Sequence, residues 1–129
     1  MRYLLSIYHD EAAIARRSPE EDAESGARYF AVADEMRAAG VYLGGDGLQP
    51  TATATTVRVR DGERLTTDGP FAETKEQLAG FYLVECKDLD EAIEWAEKIP
   101  GSEVGSVEVR PIIDYAAREA ERGAATASA

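Results

Sequence analysis

Apolar and polar positions along this chain change period several times, and each change marks an element. Residues 2–8, RYLLSIY, are dense in aromatic and branched side chains and predict a strand. After a break, Ser18-Pro19-Glu20-Glu21 predicts a helix start. Ser18 is the cap, Pro19 takes the first helical position, where a missing N–H costs nothing, and Glu21 reaches back to the cap. Tyr29, Val32, Ala33 and Met36 then recur at helical spacing to about Ala39, and Gly40 supplies the stop. A short apolar piece, VYL, leads into Gly44-Gly45-Asp46-Gly47, whose glycine density predicts an irregular loop.

The period then shortens to two. Residues 54–60, ATTVRVR, alternate, Asp61-Gly62 is a two-residue hairpin turn, and Glu63 to Thr67 return as the partner strand. Asp68-Gly69-Pro70-Phe71 follows, a turn whose Phe71 is expected to anchor in the core. Gly80 to Cys86 predict another strand. Asp88-Leu89-Asp90-Glu91 opens a second helix, with Leu89, Ala92, Ile93, Ala96 and Ile99 on one face before Pro100-Gly101 ends it. Residues 106–113, SVEVRPII, give the last strand. The Ala-rich tail past Tyr115 predicts a helical turn or two that frays, so residues 1–115 form the domain and 116–129 an appended tail.

Strand, helix, hairpin, strand, helix, strand is the order of an α+β, ferredoxin-like sandwich with an antiparallel sheet, its second strand elaborated into an extra β-hairpin. Two helices cover one face of such a sheet. Yet Tyr3, Leu5 and Ile7 alternate with Leu4 and Tyr8, and Phe81 and Leu83 with Tyr82 and Val84, so both faces are apolar. A sheet with one wet face shows cleaner alternation. A second copy packed sheet against sheet, as a two-fold homodimer, is therefore expected.

Composition narrows the partners. The 129 residues carry 25 acids against 14 bases, a net charge of −11, which disfavours nucleic acid and anionic membrane surfaces, since both attract clustered Lys and Arg. No stretch approaches the ~20 apolar residues of a membrane span, and the start lacks the pattern of a secretory leader. A lone Cys86 gives no internal disulfide, which makes the cytoplasm the default location, and within an apolar strand it reads as a packing residue. One His and one Cys, far apart, give no transition-metal ligand set. Gly44-Gly45-Asp46-Gly47 lacks the Gly-Lys-Ser/Thr ending of a phosphate loop, and no nucleophile elbow is present. No cofactor is expected.

The runs GGDGLQP, ATTVRVRDG, TDGPFAETKEQLAGFYLVECKDLDEAIEWA and GSVEVRP occur in an order and spacing that resemble the YCII-related family, in particular its DGPF subgroup, over roughly residues 1–114. The resemblance implies a dimeric α/β barrel and gene neighbourhood with extracytoplasmic-function sigma factors. It implies no one activity. Some relatives place a histidine and an aspartate in a cleft, and one branch handles chlorinated hydroquinones. Their histidine lies in the first helix, where this chain has Arg28 and Tyr29; its single histidine is His9.

Candidate chemistry follows from the residues themselves. Asp68 at a strand end, with Gly69 leaving room beside it, can act as a general base or accept from substrate hydroxyls; as a plain turn the same tetrapeptide needs no ligand. His9 titrates near neutrality, but its neighbour Asp10 points to the other face, so its partner must come from elsewhere, such as Asp68 or Glu73. Glu108 and Arg110 share a face of the last strand, either as an ion pair or as pocket groups, Arg110 gripping an anion. Glu73 and Lys75 either form a solvated turn or rim the cleft near Asp68. These residues support two expectations. One is a small-molecule pocket among the sheet, the first helix and the DGPF loop, in which Asp68 or His9 performs cofactor-independent proton transfer on a small oxygenated or aromatic compound. Tyr29, Gly69, Phe71, Glu73, Glu108 and Arg110 would surround that ligand. The other is an acidic interaction module that meets a sigma factor.

Overall fold

The structure is a computed structural model that describes residues 1–128, with side chains described to residue 124. Strand β1 (Arg2–His9) is followed by a short helix α1 (Glu11–Ala15) in the stretch expected to be a break, capped by Asp10, whose Oδ1 accepts from the Ala12 N–H at 3.0 Å. Helix α2 (Pro19–Ala38) begins as the sequence predicts: the Ser18 side chain accepts from the Glu21 N–H, and Glu21 accepts from the Ser18 N–H. Strand β2 (Tyr42–Gly47), a 3-10 turn (Thr51–Thr53), and strands β3 (Thr55–Arg60), β4 (Glu63–Asp68) and β5 (Gln77–Glu85) lead to helix α3 (Leu89–Lys98). A short α4 (Gly101–Val104), strand β6 (Ser106–Pro111) and helix α5 (Tyr115–Ser128) complete the chain. The tail is thus helical over more than the expected turn or two, and its fraying at residue 129 lies outside the described residues.

The main sheet is antiparallel in the order β2-β5-β1-β6, consistent with a ferredoxin-like fold. The expected hairpin is present, with Asp61 at φ 52° and Gly62 at φ 77° making the left-handed turn, but it is not the sheet's second strand. That place belongs to β2, the glycine-rich stretch expected to be a loop, while β3 and β4 pair only with each other as a separate two-stranded sheet.

The reason is steric. A Cβ at Gly45 would lie 2.7 Å from the Phe81 carbonyl oxygen and 2.9 Å from the Tyr82 ring, and one at Gly80 would lie 2.7 Å from the Asp46 carbonyl oxygen. Glycine at both places lets the two backbones approach, past a register shift between Tyr42 and Gly44.

The core forms on the face carrying Tyr3, Leu5, Ile7, Tyr82 and Val84, where α2 contributes Val32, Ala33 and Met36 and α3 contributes Ala92 and Ala96. The apolar stripe of α3 is wider than what it buries: Ala92, Ala96 and the following Ile99 are enclosed, but Leu89 and Ile93 flank them and are each 48% exposed. Cys86 is buried as a packing residue, and burial pushes its thiol up to about 11. The opposite sheet face carries Leu4, Tyr8, Phe81 and Leu83, each only half buried. The same face holds the Glu108–Arg110 ion pair, at 2.5 Å and open to solvent in the single chain.

Two glycines should therefore respond oppositely to alanine. Gly26, inside α2 with open space around its missing Cβ, should gain about 0.5–1 kcal/mol of stability in Gly26→Ala, because glycine is a poor helix residue. Gly45→Ala should lose stability, since backbone must move to admit the methyl group. Urea denaturation of both variants checks the sign, and a neutral Gly45→Ala would contradict the close approach.

Candidate functional site

Because β2 lies flat against β5, a cleft opens between that edge of the sheet and α2. Its volume is about 440 Å³. Strand β1 supplies Ile7 and His9; α2 supplies Gly26, Tyr29, Phe30, Ala33 and Arg37; β2 supplies Tyr42, Gly45, Asp46 and Gly47; and β5 supplies Ala79 through Tyr82. The helical spacing of Gly26, Tyr29, Phe30, Ala33 and Arg37 places them on one side of α2. The buried core thus continues into an aromatic cavity.

The aromatic groups are fixed by polar contacts. The Tyr82 hydroxyl donates to the Tyr29 carbonyl at 2.9 Å, and burial pushes its pKa up to about 12, so it stays protonated. Tyr42 meets Tyr82 edge-on at a centroid distance of 6.4 Å, and the Arg37 guanidinium stacks 4.3 Å above the Tyr42 ring. Phe30, 75% exposed, stands at the rim. Burial also raises the Tyr29 pKa, opposed by the charge of Arg17, by the nearby Gly101 backbone and by the charge of Arg28.

His9 ends β1, paired with Gln77, and its imidazole is partly enclosed at the cleft wall. Burial first, and then the charge of Arg17, lower its pKa from 6.5, against weaker opposite effects of Glu11, Asp10 and Glu76. At neutral pH the ring is uncharged and can accept a proton or donate one hydrogen bond.

Of the residues singled out from sequence, the cleft brings together His9 and Tyr29. Asp68, Gly69, Phe71, Glu73, Glu108 and Arg110 lie outside its lining. Asp68 is exposed at the base of the hairpin opposite Thr55. Gly69, at φ 100°, donates its N–H to the Ala54 carbonyl at 2.7 Å and accepts from the Thr56 hydroxyl at 3.0 Å, closing that base. Phe71 does not enter the core as expected: it is 75% exposed and lies against Arg58, 5.0 Å from its ring centroid, because the hairpin carrying it stands apart from the main sheet. Glu73 and Lys75 are exposed in the following turn.

The groups missed by sequence reading are Phe30, Arg37, Tyr42, Asp46 and the glycines of β2. The signal for the glycines was present in Gly44-Gly45-Asp46-Gly47, since glycine within a strand marks a close backbone approach.

A second cavity of similar volume, about 440 Å³, runs along α3 and is lined mostly by charged residues with Trp95. Its charges already serve the fold. Asp88 caps α3, Glu91 accepts from the Lys87 N–H, and Lys98 pairs with Glu35 and stacks on Trp95. Among the described residues no group of three or more His, Cys, Asp and Glu is placed to hold a metal ion, and no helix is long and apolar enough to cross a membrane.

Residues 1–116 match the model of the YCII-related domain. The chain belongs to the YCII-related family. A protein of Rhizobium meliloti (strain 1021), described as uncharacterized, is 42% identical over 117 residues, covering 89% of this chain and 94% of its own length. In this YCII-related chain the cleft histidine comes from the end of β1, and α2 contributes Tyr29 and Phe30 to the same lining.

The depressed pKa of His9 has a defined effect on stability. The unfolded chain takes up this proton at higher pH than the folded one, so the contribution of neutral His9 is complete above about 6.5 and is lost as pH falls through the lower folded value. Between about pH 7.5 and 5.5, the range in which an ordinary imidazole titrates, the wild type should lose more thermal stability than His9→Gln. Parallel Tm-against-pH curves for the two proteins would remove the enclosed, neutral histidine.

Proposed function

We propose that this YCII-related protein is a small-molecule-binding homodimer of the DGPF subgroup, whose ligand is a small aromatic or oxygenated compound held between α2 and the β2/β5 edge. The observation that carries this reading is the 440 Å³ cavity walled by Tyr29, Phe30, Tyr42 and Tyr82, with an uncharged histidine in its lining. Concave, largely apolar sites with a few convergent polar groups are the usual form of small-molecule pockets. A neutral imidazole in such a wall can take a proton from an acidic O–H or C–H of the ligand and return it, chemistry that needs no cofactor. Membership in the DGPF subgroup is supported by Asp68-Gly69-Pro70-Phe71 itself, which here closes the base of the hairpin.

Ligand binding is tested by thermal shift across phenols and small aromatic acids. A compound at a hundred times its Kd stabilises by about 2.7 kcal/mol. The shift should vanish in Gly26→Leu, whose side chain fills the cleft from a position with open space around its Cβ, and persist in Asp68→Asn. An undiminished shift in Gly26→Leu would place the ligand elsewhere.

Dimerisation is supported by the outer face of the sheet, where Leu4, Tyr8, Phe81 and Leu83 form an apolar surface beside the Glu108–Arg110 pair. Sheet-on-sheet packing would remove that surface from water and give the ion pair a less polar setting. Light scattering at micromolar concentration should return twice the chain mass for the wild type and a smaller species for Leu83→Asp. A monomeric wild type would overturn the dimer.

A further inference from the structure

One cation beside the cleft has no carboxylate partner. Arg17 lies between α1 and the Ser18 cap of α2, half buried, and its Nη1 donates to the Ser25 hydroxyl at 3.2 Å. No ion pair among the described residues includes it. Other bases outside these pairs, such as Arg2, Arg16, Arg58 and Arg118, are exposed to water, whereas Arg17 is half buried. The arginines of α2 are matched: Arg28 pairs with Glu103 through two hydrogen bonds of 2.9 and 2.6 Å, and Arg37 pairs with Asp34 at 3.1 Å.

The acids near His9 are occupied elsewhere. Asp10 caps α1, Glu11 accepts from the N–H and hydroxyl of Thr51 at 2.8 and 2.7 Å, and Glu76 accepts from the Ser106 hydroxyl at 2.9 Å. Arg17 therefore holds a partly desolvated charge with no ion-pair partner among the described residues.

Its placement relative to the cleft is fixed by α2. Ser25, which holds the guanidinium, is four residues before Tyr29 and on the same side of the helix, and its neighbour Gly26 lines the cavity. The positive charge of Arg17 acts on both His9 and Tyr29, which are lining residues contributed by different elements. Arg17, just outside the lining, thus stands beside two lining groups, His9 and Tyr29, that can also donate to an anion.

We propose that Arg17, with the Tyr29 hydroxyl and the His9 imidazole, forms an anion subsite that takes the carboxylate of a small aromatic acid whose ring lies among the cleft aromatics. The assignment rests on the cleft being the ligand site, and adds the chemical class of the ligand. A guanidinium offers a planar fork of N–H donors that matches a carboxylate, and the pairing supplies the counter-charge the fold withholds. Overall acidity does not oppose this, because a local unpaired cation in a partly enclosed site is screened less than charges on the open surface.

Calorimetric titration of benzoate, 4-hydroxybenzoate and phenylacetate, each against its uncharged primary amide, tests the subsite at neutral pH. In the wild type at least one acid should bind about tenfold or more tightly than its amide, the scale of a charge-assisted hydrogen bond. Arg17→Gln, checked by circular dichroism and Tm to be folded, should abolish that preference by weakening the acids more than their amides, and Arg17→Lys should restore part of it. Equal affinity for acid and amide in the wild type, or an undiminished preference in Arg17→Gln, would overturn the subsite. In either case amide binding lost in Gly26→Leu would leave the cleft reading standing. Absence of binding by every acid and amide would overturn both.

Discussion

The edge strand β2 can lie against β5 only because Gly45 and Gly80 carry no side chain. With a methyl group at either place, backbone atoms would sit 2.7 Å from it, closer than carbon and oxygen tolerate. The close pairing sets the width of the main sheet and the surface that α2 spans. It also turns the residues of β2 toward the helix, so that Tyr42, Gly45 and Gly47 line a cavity in place of a filled core. The site is thus a consequence of omitted side chains, and its aromatic character comes from the strands and helix around the omission.

The charged groups are distributed by the same economy. Most of the acids and bases with assigned contacts are used for caps, turns and surface ion pairs: Asp10, Glu21 and Asp88 secure helix starts, Glu11 secures the 3-10 turn, and Arg28 ties α2 to Glu103 just after Gly101. Surface pairs of this kind contribute little individually, with typical values of about 0–1 kcal/mol. The Arg28–Glu103 pair nonetheless joins α2 to α4 across the fold. Against that background Arg17, half buried and outside every ion pair among the described residues, donates to Ser25, and the pKa of His9 is lowered by burial and by the charge of Arg17.

The hairpin and the DGPF turn illustrate how local and global information part. Asp61-Gly62 and the alternating flanks specify a hairpin whatever the rest of the chain does, and the hairpin forms with the expected register. Nothing local says which sheet it joins. It joined none, and so Asp68 and Phe71 are exposed, with Gly69 held in a left-handed conformation to close the base. For the same reason Glu108 and Arg110 could be assigned to one face from their spacing and their pairing confirmed, while their distance from the cleft lining required the sheet order.

Sequence by itself determined the starts of α2 and α3, the hairpin turn, the strands β1, β5 and β6, and the two-sided apolar character of the sheet, because caps, turns and periodicity act over a few residues. It also singled out His9 and Tyr29. The tertiary structure decided that Gly44-Gly45-Asp46-Gly47 is a strand, that the hairpin stands apart, and that Phe30, Tyr42 and Tyr82 meet His9 across a cavity. Those outcomes depend on the distance between backbones remote in sequence, here residues 45 and 81; the glycines permit a close approach, but no local pattern says which segment makes it.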